Sequence, residues 1–271
     1  MELAVIFVVY NRRVAETEIA LALNRLADAP GRICVYDNSD RELGNRAECE
    51  KLGWRYLGGD GNVGLPKAYN ACIDTLERDG FTGTVCIFDD DTELVPDYFA
   101  RLVEAAERQP ECSIFFPILR AGERIVSPQI IHANQRAAFY VTEAECLASD
   151  GKDRYAFNSG MAVCMDVFRR VRYDERLFLD GVDYAFLREC YGQGMTASVL
   201  PVTLQHGFSG AQRPDYPAAL ARFCHYAADF AVVLADNPKG YRYLVGKRAL
   251  HLALIYHKST FLRVFQHRGQ R

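Results

Sequence analysis

A chain of 271 residues, 49% hydrophobic and 25% charged, can bury a full core as one large domain or as a domain with an appendage. Its formal net charge of −3 argues against a global attraction to nucleic acid, and its nine scattered cysteines, with no C-x-x-C pair, argue against a disulfide scaffold or a zinc site. No apolar run approaches the length of a membrane span and no charged n-region precedes the first strand, so the expected location is the cytoplasm, either free or peripheral at the inner face of a membrane.

Leu3–Val9 is a continuous apolar run rich in β-branched residues that ends at Tyr10-Asn11-Arg12, and it reads as a central parallel strand. Apolar residues at helical spacing follow over residues 17–26, closed by Pro30-Gly31. A second strand, residues 33–36, runs into Asp37-Asn38-Ser39-Asp40. A third, residues 54–57, runs into Gly58-Gly59-Asp60-Gly61-Asn62-Val63-Gly64. Pro66 is placed as a first helical residue, with Ala68, Tyr69, Cys72, Ile73 and Leu76 as the buried stripe. Residues 85–88 form a buried strand delivering Asp89-Asp90-Asp91-Thr92, and a helix is expected over about 96–107. This alternation means an α/β fold with a doubly wound, mostly parallel sheet flanked by helices.

From Ser113 the rhythm changes. Residues 114–117, 138–141 and 161–164 read as strands without long helices between them, an α+β half beside the parallel one. Residues 177–191 read as a loop entering a helix, and residues 196–204 as a strand delivering Gln205-His206-Gly207. Two helices are expected over about 218–234 and 240–265.

Three adjacent carboxylates at a strand end repel one another unless a cation or full hydration relieves them. Hard oxygen ligands suit Mn²⁺ or Mg²⁺, and those ions suit a phosphate-bearing substrate; the alternative is a solvated acidic turn capping the next helix. Tyr10-Asn11 and Asp37-Asn38 end strands where such sheets hold a nucleotide, although Asp37-Asn38-Ser39 also reads as a plain turn. Asn62-x-Gly64 opens a helix whose N–H groups could face a diphosphate; Lys67 is either a phosphate contact or a solvated lysine. In Asp180-Gly181-Val182-Asp183 one carboxylate could act as a general base, or Asp183 could be a helix-start acid. His206 is either structural or a nitrogen ligand to the same cation.

Taken in order, Val8-Val9-Tyr10-Asn11, Asp37-Asn38-Ser39, Asn62-Val63-Gly64 with Ala68 and Asn70, Asp89-Asp90-Asp91-Thr92, Asn158-Ser159-Gly160, the run from Asp174 to Asp183, and His206 resemble the family 2 inverting glycosyltransferases of GT-A fold, in their rhamnosyltransferase-like and galactofuranosyltransferase-like branch. The resemblance covers roughly residues 3–210. It implies that Tyr10, Asn11, Asp37 and Asn38 hold the nucleoside of a nucleotide-diphosphate sugar and that Asn62 and Gly64 shape the floor near the diphosphate. It further implies that Asp89 and Asp91 form a D-x-D metal pair with His206 as third ligand, with Asp90 beside the donor. Asn158 would line the sugar or acceptor pocket, and Asp183 would be the catalytic base, with Asp180 fitting the same loosely written acid motif. The expected division is 1–215 as the GT-A catalytic domain (1–112 nucleotide-binding, 113–215 acceptor-binding) and 216–271 as a C-terminal helical extension.

The implied reaction is metal-dependent transfer of rhamnose, galactofuranose or another hexose to a hydroxyl of a surface glycan or lipid-linked oligosaccharide. Two other classes stay open: a non-catalytic nucleotide-sugar binding module, and a sugar nucleotidyltransferase, for which Arg12-Arg13 without glycines is a poor match. No acidic residue follows Asp236, whereas Lys239, Arg242, Lys247, Arg248, Lys258, Arg263, Arg268 and Arg271 do. That tail either rests on an anionic membrane or packs on the catalytic domain or a second subunit.

Overall fold

The computed structural model describes residues 1–132, 135–149, 154–206 and 214–268. The first half runs β1 (Leu3–Val9), a 3-10 turn (Val14–Glu16), α1 (Glu18–Leu23), β2 (Arg32–Asp37), α2 (Asn45–Leu52), β3 (Arg55–Gly58), α3 (Leu65–Arg78), β4 (Thr84–Asp89), β5 (Thr92–Glu93) and α4 (Tyr98–Arg108). The second half runs β6 (Ile114–Ala121), β7 (Arg124–Ser127), β8 (Gln129–Ile131), β9 (Ala137–Phe139), α5 (Glu143–Ala148), β10 (Arg154–Tyr155), β11 (Met161–Cys164), α6 (Met165–Phe168), α7 (Val182–Gly192) and β12 (Ala197–His206). Three helices close the chain: α8 (Tyr216–Val233), α9 (Pro238–Tyr256) and α10 (Thr260–Arg268).

β1 is apolar throughout because both faces of the sheet are covered. Ala4, Ile6 and Val8 pack with α3, α7 and the C-terminal helices, whereas Val5, Phe7 and Val9 pack with α1, α2 and α4. Among the described residues the main sheet has nine strands in the order β3-β2-β1-β4-β11-β6-β12-β5, with β7 paired to β6. β3, β2, β1 and β4 are mutually parallel, so the polar residues that follow β1, β2 and β4 emerge at one edge. The second half is not a separate layer. β11 pairs antiparallel with both β4 and β6, which joins the two halves into one sheet. A small sheet, β10-β8-β9, lies apart from it.

Two helical expectations are corrected. No element is expected between β2 and β3, yet α2 forms there; of its eight residues Cys49 is the one apolar side chain buried, so no periodic stripe announces it. The single helix expected over 240–265 is two, because His257 adopts a left-handed φ of 53° that ends α9 before α10 begins. Buried residues of the C-terminal helices, among them Phe223, Val233, Val245 and Phe261, belong to the same core cluster as α3 and α7. No helix among the described residues is long and apolar enough to cross a membrane.

Candidate active site

A cleft of about 500 Å³ opens at the C-terminal ends of β1, β2 and β4, lined by Tyr10, Arg12, Asn38, Asn62, Gly64, the three carboxylates Asp89, Asp90 and Asp91, and Phe178 and Leu179. The Tyr10 ring is 48% exposed, and its hydroxyl donates to Asp40 Oδ2 at 2.7 Å. Asn11 takes a left-handed φ of 52° and donates its N–H to Ser39 Oγ at 2.8 Å, which turns the chain away from β1. Asn38 ties the end of β2 to the glycine loop: its amide donates to Asn62 Oδ1 at 2.9 Å, and its own Oδ1 accepts the Val63 N–H at 2.8 Å.

Three residues expected at the donor are not part of this cleft wall: Asn11, whose side chain pairs with Asp40, and Asp37 and Lys67. Asp37 is 4% exposed and satisfied internally, accepting from Asn45 Nδ2 at 2.9 Å, Tyr56 hydroxyl at 3.3 Å and the Ser39 N–H at 3.1 Å. Those bonds fix the strand end and bring α2 onto it. Lys67 is exposed on α3 and is not part of the cleft wall.

The carboxylate row is held from behind. Thr92 Oγ1 accepts the Asp89 N–H at 3.2 Å and shares a 2.6 Å hydrogen bond with Ser159 Oγ, both hydroxyls being buried. The buried Tyr69 hydroxyl reaches Asp89 Oδ1 at 3.5 Å. Burial pushes the Asp90 carboxyl up to about 6; Arg12, 3.8 Å away, opposes this, and the charges of Asp91 and Asp89 add to it. Among the described residues no group of three His, Cys, Asp or Glu side chains is preassembled as a metal ligand set. One or two carboxylates that leave positions open for phosphate oxygens are nevertheless what Mg²⁺-type sites use, so the donor set fits such an ion bound together with a diphosphate. The backbone of His206 pairs with Thr92 across β12 and β5; its side chain, and Gly207 beyond it, lie outside the described residues.

A second cavity, about 240 Å³, adjoins the cleft through the shared residues Leu65, Asp89 and Leu179. Its other walls are Tyr69, Phe157, Asn158, Asp180, Gly181, Val182 and Asp183. Asn158 is buried and accepts the Tyr173 hydroxyl at 2.9 Å. Burial pushes the Asp183 carboxyl up to about 7; the Tyr184 N–H, donated to Asp183 Oδ1 at 2.7 Å, opposes this, and the charge of Asp89 adds to it. Asp180 is engaged differently. The Arg222 guanidinium grips both of its carboxylate oxygens, at 2.7 Å on Oδ1. No salt bridge reaches Asp183 among the described residues.

The structure brings Tyr10, Asn38, Asn62, Gly64, Asp89, Asp90 and Asp91 together in one lobe, Asn158, Asp180 and Asp183 in the other, and Asp89 in both. Sequence reasoning missed Arg12, Tyr69 and Arg222. Only Arg12 carried a signal, as the residue directly after the Tyr10-Asn11 strand end.

A family model described as Glycosyl transferase family 2 matches residues 4–178. The fold is similar to that of GalNAc-T7 solved with UDP, GalNAc and Mn²⁺, with a TM-score of 0.65 at 13% identity over 100% of this chain and 54% of that one. It is also similar to the mannosyltransferase PcManGT from Pyrobaculum calidifontis in complex with GDP-Man and Mn²⁺, with a TM-score of 0.58 at 16% identity over 98% and 73% of the two chains. Glucosyl-3-phosphoglycerate synthase from Mycobacterium tuberculosis, in complex with Mn²⁺, UDP and glucosyl-3-phosphoglycerate, gives 0.54 at 14% identity over 85% and 79%. This chain thus spans about half the length of the GalNAc-T7 chain. No curated protein matches its sequence.

Proposed function

The chain belongs to glycosyl transferase family 2, and from that premise we propose that it is a metal-dependent inverting glycosyltransferase moving a hexose, such as rhamnose or galactofuranose, from a nucleotide diphosphate to an acceptor hydroxyl. The observation that carries this reading is the pair of adjoining cavities with Asp89 at their junction and the raised carboxyl of Asp183 on the far side. A donor occupying the larger lobe would put its diphosphate at Asp89–Asp91 and its anomeric carbon toward the smaller one.

Tyr10 and Asn11 would flank the nucleoside, and the Asn38–Asn62 bond would hold the glycine loop against the diphosphate. Asp37, spent on internal hydrogen bonds, would organise this wall rather than touch the base. Asp89 and Asp91 would hold Mn²⁺ or Mg²⁺, with His206 as a further candidate. When bound, such an ion neutralises the diphosphate and the charge it gains on leaving. Asp183 would take the proton from the acceptor hydroxyl as it attacks. Its pKa near 7 suits a base at neutral pH, and an attack from the face opposite the leaving group inverts the anomeric carbon. Asp180, committed to Arg222, is the weaker candidate for that role.

A panel of nucleotide sugars assayed with Mn²⁺, with the product anomer read by proton NMR, tests the proposal. Inverted product with at least one donor is expected. Retained configuration, or pyrophosphate release in place of sugar transfer, would contradict it. A second reading, contact of the C-terminal helices with an anionic membrane bearing a lipid-linked acceptor, is favoured by Leu250 and Leu254. These stand one turn apart on α9, 53% and 66% exposed, in a segment without acidic residues. Flotation with anionic vesicles should be lost in the double variant Leu250→Ser, Leu254→Ser; undiminished flotation removes this reading.

A further inference from the structure

One face of α8 is built around the loop that carries the candidate base. Asp229 is 2% exposed, a carboxyl in the otherwise apolar stretch Ala227–Val233. Its Oδ1 accepts the Phe178 N–H at 2.9 Å, and its Oδ2 accepts the Leu179 and Asp180 N–H groups at 2.9 and 2.8 Å. Three consecutive peptide groups of a loop therefore converge on one side chain of a helix about fifty residues later. Seven residues earlier on the same helix, Arg222 grips the Asp180 carboxylate. Between them His225 stacks on the Phe178 ring, with centroids 4.4 Å apart.

The next residue of the loop is fixed as well. Gly181 has a left-handed φ of 69°, and a Cβ there would lie 3.2 Å from Val233 Cγ2. Arg188 on α7 donates to the Val233 carbonyl at 2.8 Å, so α7 itself is pinned to the end of α8. On its other side the loop abuts the donor cleft: the Phe178 carbonyl accepts the Leu65 N–H at 2.8 Å, at the start of α3. Only Gly181 and Val182 separate the anchored Asp180 from Asp183.

We propose that Asp229 and Arg222 are positioning residues for the transfer reaction, clamping the 178–180 loop so that Asp183 faces the junction of the two cavities. This rests on the reading of Asp183 as the base. A loop without this anchor would leave Asp183 free to move by about an ångström, and misplacement on that scale costs on the order of 100-fold in rate. In Asp229→Asn the side-chain amide turns a donor toward at least one of the three N–H groups while preserving the volume of the site.

The test compares Asp229→Asn, Arg222→Ala and Arg222→Lys with Phe261→Leu, which loosens the C-terminal helices without touching the loop. Each is scored per folded molecule for kcat, melting temperature and hydrogen exchange at the 178–180 amides. Asp229→Asn should exchange faster at those amides and lose roughly 30- to 100-fold in kcat. Arg222→Ala should also lose kcat, and Arg222→Lys, which keeps one charged contact, should recover part of it. Phe261→Leu should melt earlier but keep its kcat and its exchange at 178–180. A kcat within about threefold of wild type in Asp229→Asn and Arg222→Ala, or an equal loss in Phe261→Leu, overturns the positioning role. Absence of turnover in the wild type overturns instead the underlying reading of the site, and so is distinguished from failure of the clamp.

Discussion

In the proposed reaction the proton transfer falls to a single carboxyl, that of Asp183. Burial in the native state moves its carboxyl from the ordinary 3.8 to about 7. Between those values the unfolded chain has released the proton and the folded chain still holds it. The contribution of this group to stability is therefore complete at low pH and is lost as pH rises toward 7. Base catalysis needs the opposite form, so turnover should rise through the same window. Asp183→Asn removes the penalty and keeps an acceptor for the Tyr184 N–H. In EDTA it should melt at a higher temperature than the wild type at pH 8, with the difference vanishing near pH 4, and its transfer rate should fall by about 10²- to 10⁴-fold. Thermal scans at the two pH values check the first claim and initial rates the second. An unchanged melting temperature at pH 8 would show that the carboxyl is solvated after all.

At the scale of elements, the cavity junction depends on how closely the glycine loop before α3 approaches the 178–183 loop. Gly64 has φ +87° and ψ 161°, a conformation almost confined to glycine, and a Cβ there would lie 2.9 Å from the Phe178 carbonyl oxygen. Gly64→Ala should cost about 1–3 kcal/mol in urea unfolding, by strain alone, and should weaken donor binding, because the two loops must part. What the sequence made legible here follows from local physics. β1 and β4 are readable because burial on both faces leaves an unbroken apolar run, and the carboxylates of Asp89–Asp91 are conspicuous because nothing separates them. α2 is silent because it covers Asp37 with an asparagine and one cysteine rather than an apolar stripe. The partnership of Asp180 with Arg222, 42 residues apart, and of Phe178, Leu179 and Asp180 with Asp229 depends on which helix packs over which loop; no spacing rule reports that. Asp229 carried one overlooked cue, a lone carboxyl among apolar helical neighbours.

Across the whole molecule, a single sheet assembles both cavities: β1 and β2 deliver one wall of the larger, β4 the carboxylates, and β11, inserted antiparallel between β4 and β6, follows directly on the Asn158–Gly160 turn beside the smaller. The C-terminal helices share the core under α3 and α7 and reach back to the loop before Asp183. Under the proposed function, this arrangement separates binding from chemistry. Donor affinity should depend on the divalent ion and on the β4 carboxylates, and chelation should remove both affinity and turnover together, as calorimetric titration with and without EDTA would show.

The most direct test sets Asp91→Ala beside Asp183→Asn, measuring nucleotide-sugar affinity and transfer in Mn²⁺ for each. Asp91→Ala should lose both affinity and transfer, whereas Asp183→Asn should bind the donor as the wild type does and fail to transfer it. Near-wild-type transfer by Asp183→Asn, or undiminished Mn²⁺-dependent donor binding by Asp91→Ala, would contradict the assignment of the two lobes.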